Sequence, residues 1–340
     1  MSEDIILQHA DAQVVIHQLT GNKNVVRIIS HKKSLFVSKL SCQTYYPVDL
    51  IKLMLEIKGP AYLCDEISRD EDLAYVQQPL KKALLPFINQ DDFKDRNILD
   101  FGCGGGASTV ILARMFPECQ ILGVELREDL LIVARARANF YKLNNIDLVL
   151  FKDYSDILRS KGGFDLIVLN AVYEHLLKNE RKVVISELWP VLKHGGIMFI
   201  SQTPFRYSFM ESHTAGLPLI NYLPDKLVLI FVRMFSKRVS KSVSWDFLLR
   251  AGIRGATERE IINLIRSSGG NRPLILRSKE QIPDSILEYQ WSREQRRDCL
   301  KSHGKVWHIL ERLKSVMLFI FSGQITMMIQ KCNDISTGRR

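Results

Sequence analysis

The sequence contains no C-x-x-C pair and no His/Cys spacing suited to zinc; its six cysteines stand apart at positions 42, 64, 103, 119, 299 and 332. That pattern excludes a disulfide scaffold or zinc ribbon, and it predicts a reducing compartment and no bound metal. No apolar run reaches the roughly 18 residues of a membrane span, and Met1-Ser2-Glu3-Asp4 carries acids where a secretory leader needs positive charge. The expectation is a cytoplasmic protein, neither exported nor integral. With 46% hydrophobic and 25% charged residues, the 340-residue chain reads as globular, one large core with additions.

What is present concentrates at Ile98–Thr109, where an apolar run ends in Asp100 and a glycine-packed turn opens into Val110-Ile111-Leu112-Ala113. A strand, a glycine turn and a helix in that order let backbone approach a nucleotide-like ligand. Gly102, Gly104 and Ala107 also satisfy the G-x-G-x-x-A form of dinucleotide-binding enzymes, so the turn alone leaves two cofactor classes open. A second strand, Ile121–Val124, ends in Glu125, whose carboxylate can accept from both hydroxyls of an adenosine ribose. Further strands are expected at Leu148–Phe151, Phe164–Leu169 and Gly196–Ser201, with Leu192–Gly195 as a glycine-stopped helix end before the last of these.

In this order and spacing, residues 95–205 resemble the class I S-adenosylmethionine-dependent methyltransferases, and the polar-aromatic stretches Thr203–Tyr207, Glu211–Pro218 and Asn221–Pro224 are more loosely similar to what small-molecule enzymes of the ubiquinone-biosynthesis and type 11 kind carry there. The pieces that carry the resemblance are Leu99–Gly106, Glu125, Asp153, the Phe164-Asp165 strand leading to Glu174-His175, and the Leu192–Gly196 turn. It implies an α/β fold: a doubly wound, Rossmann-like seven-stranded sheet with an antiparallel last strand. It implies S-adenosyl-L-methionine as cofactor, with Asp100 orienting the turn or meeting the methionine ammonium and Gly102 and Gly104 leaving room for that moiety. Glu125 and the adjoining Leu126 would hold the ribose, Asp153 the adenine amino group, and Asn170 would contribute beside the sulfonium. Cys103 is expected to fill the turn rather than act as nucleophile.

Around this core, Val14–Ile16, Val25–Ile29 and Leu35–Val37 read as short strands of a β-rich N-terminal extension spanning 1–69. Asp70–Ile88 reads as one helix from the spacing of Leu73, Val76, Leu80, Leu84 and Leu85; by the resemblance, Tyr62, Arg69 and Tyr75 could then reach cofactor or substrate, with ordinary surface placement the competing reading. Core segments are expected at 70–202 and 257–278, the latter opening on a capping-box-like Thr257/Glu260 pair, and the last strand lies in 322–340. Helical lid insertions, 203–256 and 279–321, would build the substrate side.

A hydroxyl or amine acceptor has a proton to lose, so His213 and His175 are candidate bases, with Tyr173, Glu174, Arg206, Glu211 and Tyr222 as substrate-binding groups. The net charge of +10 concentrates in Lys226–Ala256, where Lys237, Arg238 and Lys241 accompany Leu227–Val232 and Trp245. Such a segment suits peripheral contact with an anionic membrane or a lipid-linked acceptor; its competing reading is a lid helix with a solvated basic face. Trp307–Phe321 repeats the theme and is expected either to cover the lid or to form a homodimer contact. Nucleic acid is the less favoured partner, no RNA-binding module being visible. The expected activity is methyl transfer to oxygen, less readily nitrogen or carbon, of a small or lipid-linked metabolite. An RNA or protein methyltransferase and a non-catalytic cofactor-binding protein remain the alternatives.

Overall fold

The computed structural model describes residues 4–31, 37–90, 93–151, 158, 162–269, 273–276 and 323–332. The chain divides into two units, Met1–Val168 and Leu169–Arg340.

The first unit begins with an antiparallel sheet in the order β1 (Ile5–Gln8), β2 (Ala12–Gln18), β3 (Asn24–Ser30), β4 (Ser41–Thr44). Alternation along β2 and β3 buries Ala12, Val14, Ile16, Val26 and Ile28 on one face. That face shares a core with α1 (Val48–Lys58) and α2 (Leu63–Glu71) through Ile51, Met54, Leu63 and Ile67. The single helix expected over Asp70–Ile88 is interrupted: α2 stops at Glu71 and α3 (Gln77–Leu84) starts afresh. Asp72 causes the break, its carboxylate accepting the Ala74 backbone N–H at 3.1 Å in an Asx turn that competes with helical bonding.

The parallel core follows as β5 (Asn97–Phe101), α4 (Ala107–Met115), β6 (Gln120–Glu125), α5 (Glu128–Phe140), β7 (Ile146–Leu150) and β8 (Phe164–Asn170). β5 pairs in parallel with β6 and with β8, and β6 with β7. Phe164 to Leu169 are all buried, and the apolar run Leu166–Leu169 is that of a strand covered on both faces.

In the second unit a 3-10 turn (Tyr173–His175) precedes α6 (Lys178–Val191) and β9 (Leu192–Pro204). The expected helix end at Gly195 falls four residues late, because α6 stops at Val191 and Leu192 is already extended. Lys331 explains how that end is satisfied: its Nζ donates to the carbonyls of Trp189 (2.9 Å), Pro190 (3.2 Å) and Leu192 (2.7 Å). Beyond β9 come β10 (Met210–Glu211), β11 (Leu217–Pro218), α7 (Asp225–Phe235), α8 (Trp245–Arg250), α9 (Glu258–Ser267), β12 (Leu274–Leu276) and β13 (Gln324–Gln330). Thr257 caps α9 by accepting from Glu260 N at 3.1 Å, while the Glu260 carboxylate turns to Arg181 at 2.9 Å, so only half of the expected capping box forms.

β13 runs antiparallel to both β9 and β12, and the large sheet has the order β12-β13-β9-β8-β5-β6-β7. This is the expected seven-stranded sheet with its antiparallel late strand. α7 presents exposed apolar residues beside the solvated basic Lys226 and Arg233. It buries Val228 and Val232 but leaves Leu227, Ile230, Phe231, Met234 and Phe235 exposed. Among the described residues no helix is long and apolar enough to cross a membrane. The expected insertion at 279–321 lies outside the described residues.

Candidate functional site

The glycine turn joins β5 to α4, and its glycines divide by what a side chain would meet. A Cβ on Gly105 would lie 2.6 Å from Glu66 Oε1, and one on Gly106 would lie 2.7 Å from Ala134 Cβ, so these two let the turn pack on α2 and α5. Gly104, at φ +56°, has nothing within 4 Å of its Cβ position: its side faces open space. The backbone N–H groups of Gly102 and Cys103 both donate to Val124 O, at 2.8 and 3.0 Å, which ties the turn to the end of β6.

At that end stands Glu125. Its carboxylate accepts from Gly104 N (2.9 Å), Leu126 N (2.8 Å) and Arg127 N (3.1 Å). Three backbone donors fix its orientation beside the open face of Gly104, and an ionised carboxylate with about four lone-pair sites still has capacity for another donor pair. The Leu126 side chain itself is exposed, so its contribution here is the backbone N–H.

Asp100 is buried and accepts from Ser108 Oγ (2.8 Å) and Thr109 Oγ1 (2.6 Å), pinning β5 to the first turn of α4. Burial pushes its carboxyl up to about 6 against the pull of those two hydroxyls. Cys103 is buried, and burial raises its thiol well above the ordinary range; its Sγ lies 3.2 Å from the Cβ position of Gly123, filling space over β6. Asp153 lies outside the described residues.

Sequence reasoning missed the network that holds this turn from behind. Arg137 of α5 is fully buried and donates to the Gly105 carbonyl (2.6 Å), the Glu66 carbonyl (2.6 Å), Glu66 Oε1 (2.8 Å) and the Tyr46 hydroxyl (3.1 Å), with Asp70 Oδ1 at 3.3 Å. Burial alone would raise the Glu66 carboxyl, but the charges of Arg137, Lys58 and Arg69 override it and hold it at about 2. Of the neighbouring residues expected to reach a ligand, Tyr62 is exposed, Arg69 lies 3.5 Å from Asp65, and Tyr75 donates to Asp65 at 2.5 Å.

The second unit gathers Glu174, His175 and His213, whose candidate ligand atoms all lie within 4.8 Å of one another. Glu174 is buried and accepts from Thr203 Oγ1 at 3.2 Å. His175 Nδ1 lies 2.7 Å from the Arg250 carbonyl, and its Nε2 is 3.8 Å from Glu174 Oε1. The imidazoles of His175 and His213 stand 5.8 Å apart, centroid to centroid.

The other expected residues take structural places nearby. The Glu211 carboxylate accepts from the N–H groups of His213 (3.1 Å), Thr214 (2.7 Å) and Ala215 (2.5 Å), and so shapes the turn that carries His213. Burial nonetheless raises its carboxyl above the ordinary range. Tyr173 is buried with its hydroxyl 3.3 Å from Glu260 Oε1, a bracing position. Tyr222 donates to Tyr207 O at 2.7 Å, and Arg206 to Asn221 O. Asn170 Oδ1 accepts from Ser201 Oγ at 2.7 Å, and the next residue, Ala171, holds a strained φ of +56°.

Residues 98–196 match the family model described as a methyltransferase domain. The chain is 31% identical over 114 residues to an uncharacterized protein of Rickettsia prowazekii, covering 34% of this chain and 45% of that one. It is 29% identical over 147 residues to a malonyl-[acyl-carrier protein] O-methyltransferase of Bacillus anthracis, covering 43% of this chain and 52% of that one. Among solved structures, that of PKMT2 from Rickettsia typhi aligns with a TM-score of 0.42 at 16% identity, over 71% of this chain and 48% of that one. The chain thus spans about half the length of these curated relatives. The match at residues 98–196 supports the resemblance to the class I S-adenosylmethionine-dependent methyltransferases. The cofactor of that class is S-adenosylmethionine, and the residues here fit it: an open Gly104 face and an oriented Glu125 carboxylate stand side by side.

Proposed function

We propose that the protein transfers a methyl group from S-adenosylmethionine to an oxygen of a small or lipid-linked metabolite. The observation that carries the cofactor half is the Glu125 carboxylate, fixed by three backbone N–H groups next to the open face of Gly104. When bound, S-adenosylmethionine supplies an electrophilic methyl group on a sulfonium. Gly102, Gly104 and Asp100 would position its methionine end, Glu125 and Leu126 its ribose, Asp153 its adenine, and Asn170 would stand beside the sulfonium. Holding donor and acceptor in line supplies about 7–11 kcal/mol of such a barrier.

An oxygen acceptor must shed its proton as the methyl group arrives, and His175 is a candidate base for that task. Carbonyl oxygens only accept, so the short Arg250 contact puts a proton on His175 Nδ1 and leaves Nε2 basic in the neutral ring. His213 is the second base, with Glu174, Tyr173, Arg206, Glu211 and Tyr222 shaping the acceptor site. The oxygen preference draws on the malonyl-[acyl-carrier protein] O-methyltransferase relative. The lipid-linked option draws on the exposed apolar residues of α7, with Lys226, Lys237, Arg238 and Lys241 around them.

Calorimetry tests the cofactor: S-adenosylhomocysteine should bind, Glu125→Ala and Gly104→Val should abolish binding, and NADH binding in its place would overturn the reading. Labelled cofactor incubated with a fractionated extract should then reveal the acceptor. Flotation with anionic liposomes that survives changing Lys237, Arg238 and Lys241 to Glu would remove the membrane component.

A further inference from the structure

We infer that Glu174, His175 and His213 form a binding site for a divalent ion of the zinc class. Two imidazole nitrogens and one carboxylate oxygen are the donor set that borderline transition ions prefer over magnesium or calcium. The three ligand atoms fall within 4.8 Å of one another, and His175 Nε2 is 3.8 Å from Glu174 Oε1. A tetrahedral ion with arms of about 2.0–2.1 Å needs its ligands roughly 3.3 Å apart. His213 sits exposed on the turn between β10 and β11, so a rotamer change closes the remaining gap.

The surroundings favour an ion over a chance meeting of side chains. His175 presents Nδ1 to the Arg250 carbonyl at 2.7 Å, which leaves Nε2, 3.8 Å from Glu174 Oε1, as the nitrogen available to a metal. The carboxylate is steadied in turn by Thr203 Oγ1 at 3.2 Å. These are the outer-shell partners that metal-bound imidazole and carboxylate require. Gly252 keeps the space clear: a Cβ there would come within 3.0 Å of His213 Cδ2 and 3.1 Å of Glu174 Cγ.

Three protein ligands leave a coordination position for a water or an oxygen acceptor, whose proton affinity the ion would lower. That extension rests on the methyl-transfer reading and assigns to the ion the task given there to the imidazoles. Metal binding itself does not depend on that reading and is measured without turnover.

The full chain, stripped with chelator, is titrated with zinc by calorimetry and with cobalt by visible absorption. One equivalent should bind per chain, with the intense d–d bands of a low-symmetry cobalt site. His213→Ala and Glu174→Gln should each weaken binding by about 100-fold or more and Thr203→Val by about tenfold, taking the cost of losing an outer-shell partner as a floor. His17→Ala, a surface imidazole beside Asp4, should change nothing. Should Glu174→Gln lose its fold by circular dichroism, the exposed His213→Ala decides alone. No zinc binding, or binding that His213→Ala leaves intact, overturns the site.

Discussion

The glycine turn of the first unit and the Glu174–His175–His213 group of the second are built in opposite ways. The turn offers backbone, locked from behind by a fully buried arginine that holds the Gly105 carbonyl at 2.6 Å. The second group offers side chains on a 3-10 turn and a hairpin turn, with His175 45% exposed at its side chain. A surface that receives an invariant cofactor can be rigid and pre-paid in folding energy; one that serves a variable acceptor or ion is carried on short connections with little to hold it.

The largest way to break this contrast is Arg137→Ala. Removing the cation strands Glu66 and Asp70 inside the core, and breaking a buried pair by deleting one partner costs about 3–5 kcal/mol. Urea denaturation should show that loss, together with weakened S-adenosylhomocysteine binding. A loss near zero would mean that the turn is not locked as described.

Acid titration sharpens it next. The Asp100 carboxyl sits at about 6 in the folded protein against an ordinary 3.8, so between those values the folded state holds the extra proton. Its contribution to stability is therefore full below about pH 4 and is lost as pH rises through 6, a span of about 3 kcal/mol. Glu66, held at about 2, has the opposite sign: it stabilises above its ordinary 4.5, and that support disappears as pH falls toward 2. Comparing Asp100→Asn with the parent, the stability difference should change between pH 4 and 6 and stay flat above. A constant difference across that range would remove Asp100 as its cause.

How much of this was legible in the sequence follows from the same division. Glycine spacing, strand-end Glu125 and the run of apolar strands are local signals, and each landed where the pattern put it. Arg137 was not legible, because an arginine among Arg135, Ala136 and Ala138 reads as the solvated face of a helix until Glu66 and Asp70 arrive from α2. The break at Asp72 was missed because apolar spacing ran through it, while the side chain that ends α2 is polar and acts on its own backbone. His175 and His213 were picked out as bases by residue type alone. Their meeting with Glu174 depends on the β10–β11 turn shaped by Glu211, a three-dimensional fact with no periodic signature.

Within the turn itself, Gly105→Ala and Gly104→Ala should separate packing from ligand space. The first drives a methyl group to 2.6 Å from Glu66 Oε1 and should cost about 1–3 kcal/mol as an overpacked site. The second meets no atom and pays only for its left-handed backbone, about 1–2 kcal/mol, yet it should lose more cofactor affinity than stability. Equal losses of binding in both variants, in step with stability, would show that Gly104 serves the fold and not a ligand.

The smallest stability effect belongs to the imidazoles, and its smallness is informative. His175→Ala deletes a half-exposed side chain that meets the Arg250 carbonyl, Glu174 and the His213 ring, and His213→Ala deletes an exposed one. Surface substitutions of this kind stay within about 0.5 kcal/mol, so denaturation midpoints should barely move while methyl transfer to the identified acceptor falls by about 100-fold or more. S-adenosylhomocysteine affinity should be unchanged in both, since the glycine turn and Glu125 are left whole. A midpoint that drops by several kcal/mol would instead make the pair a brace for Glu174, and a rate that survives both changes would remove imidazole from the chemistry. The two readouts together decide whether the second group works on a ligand or only holds its own unit.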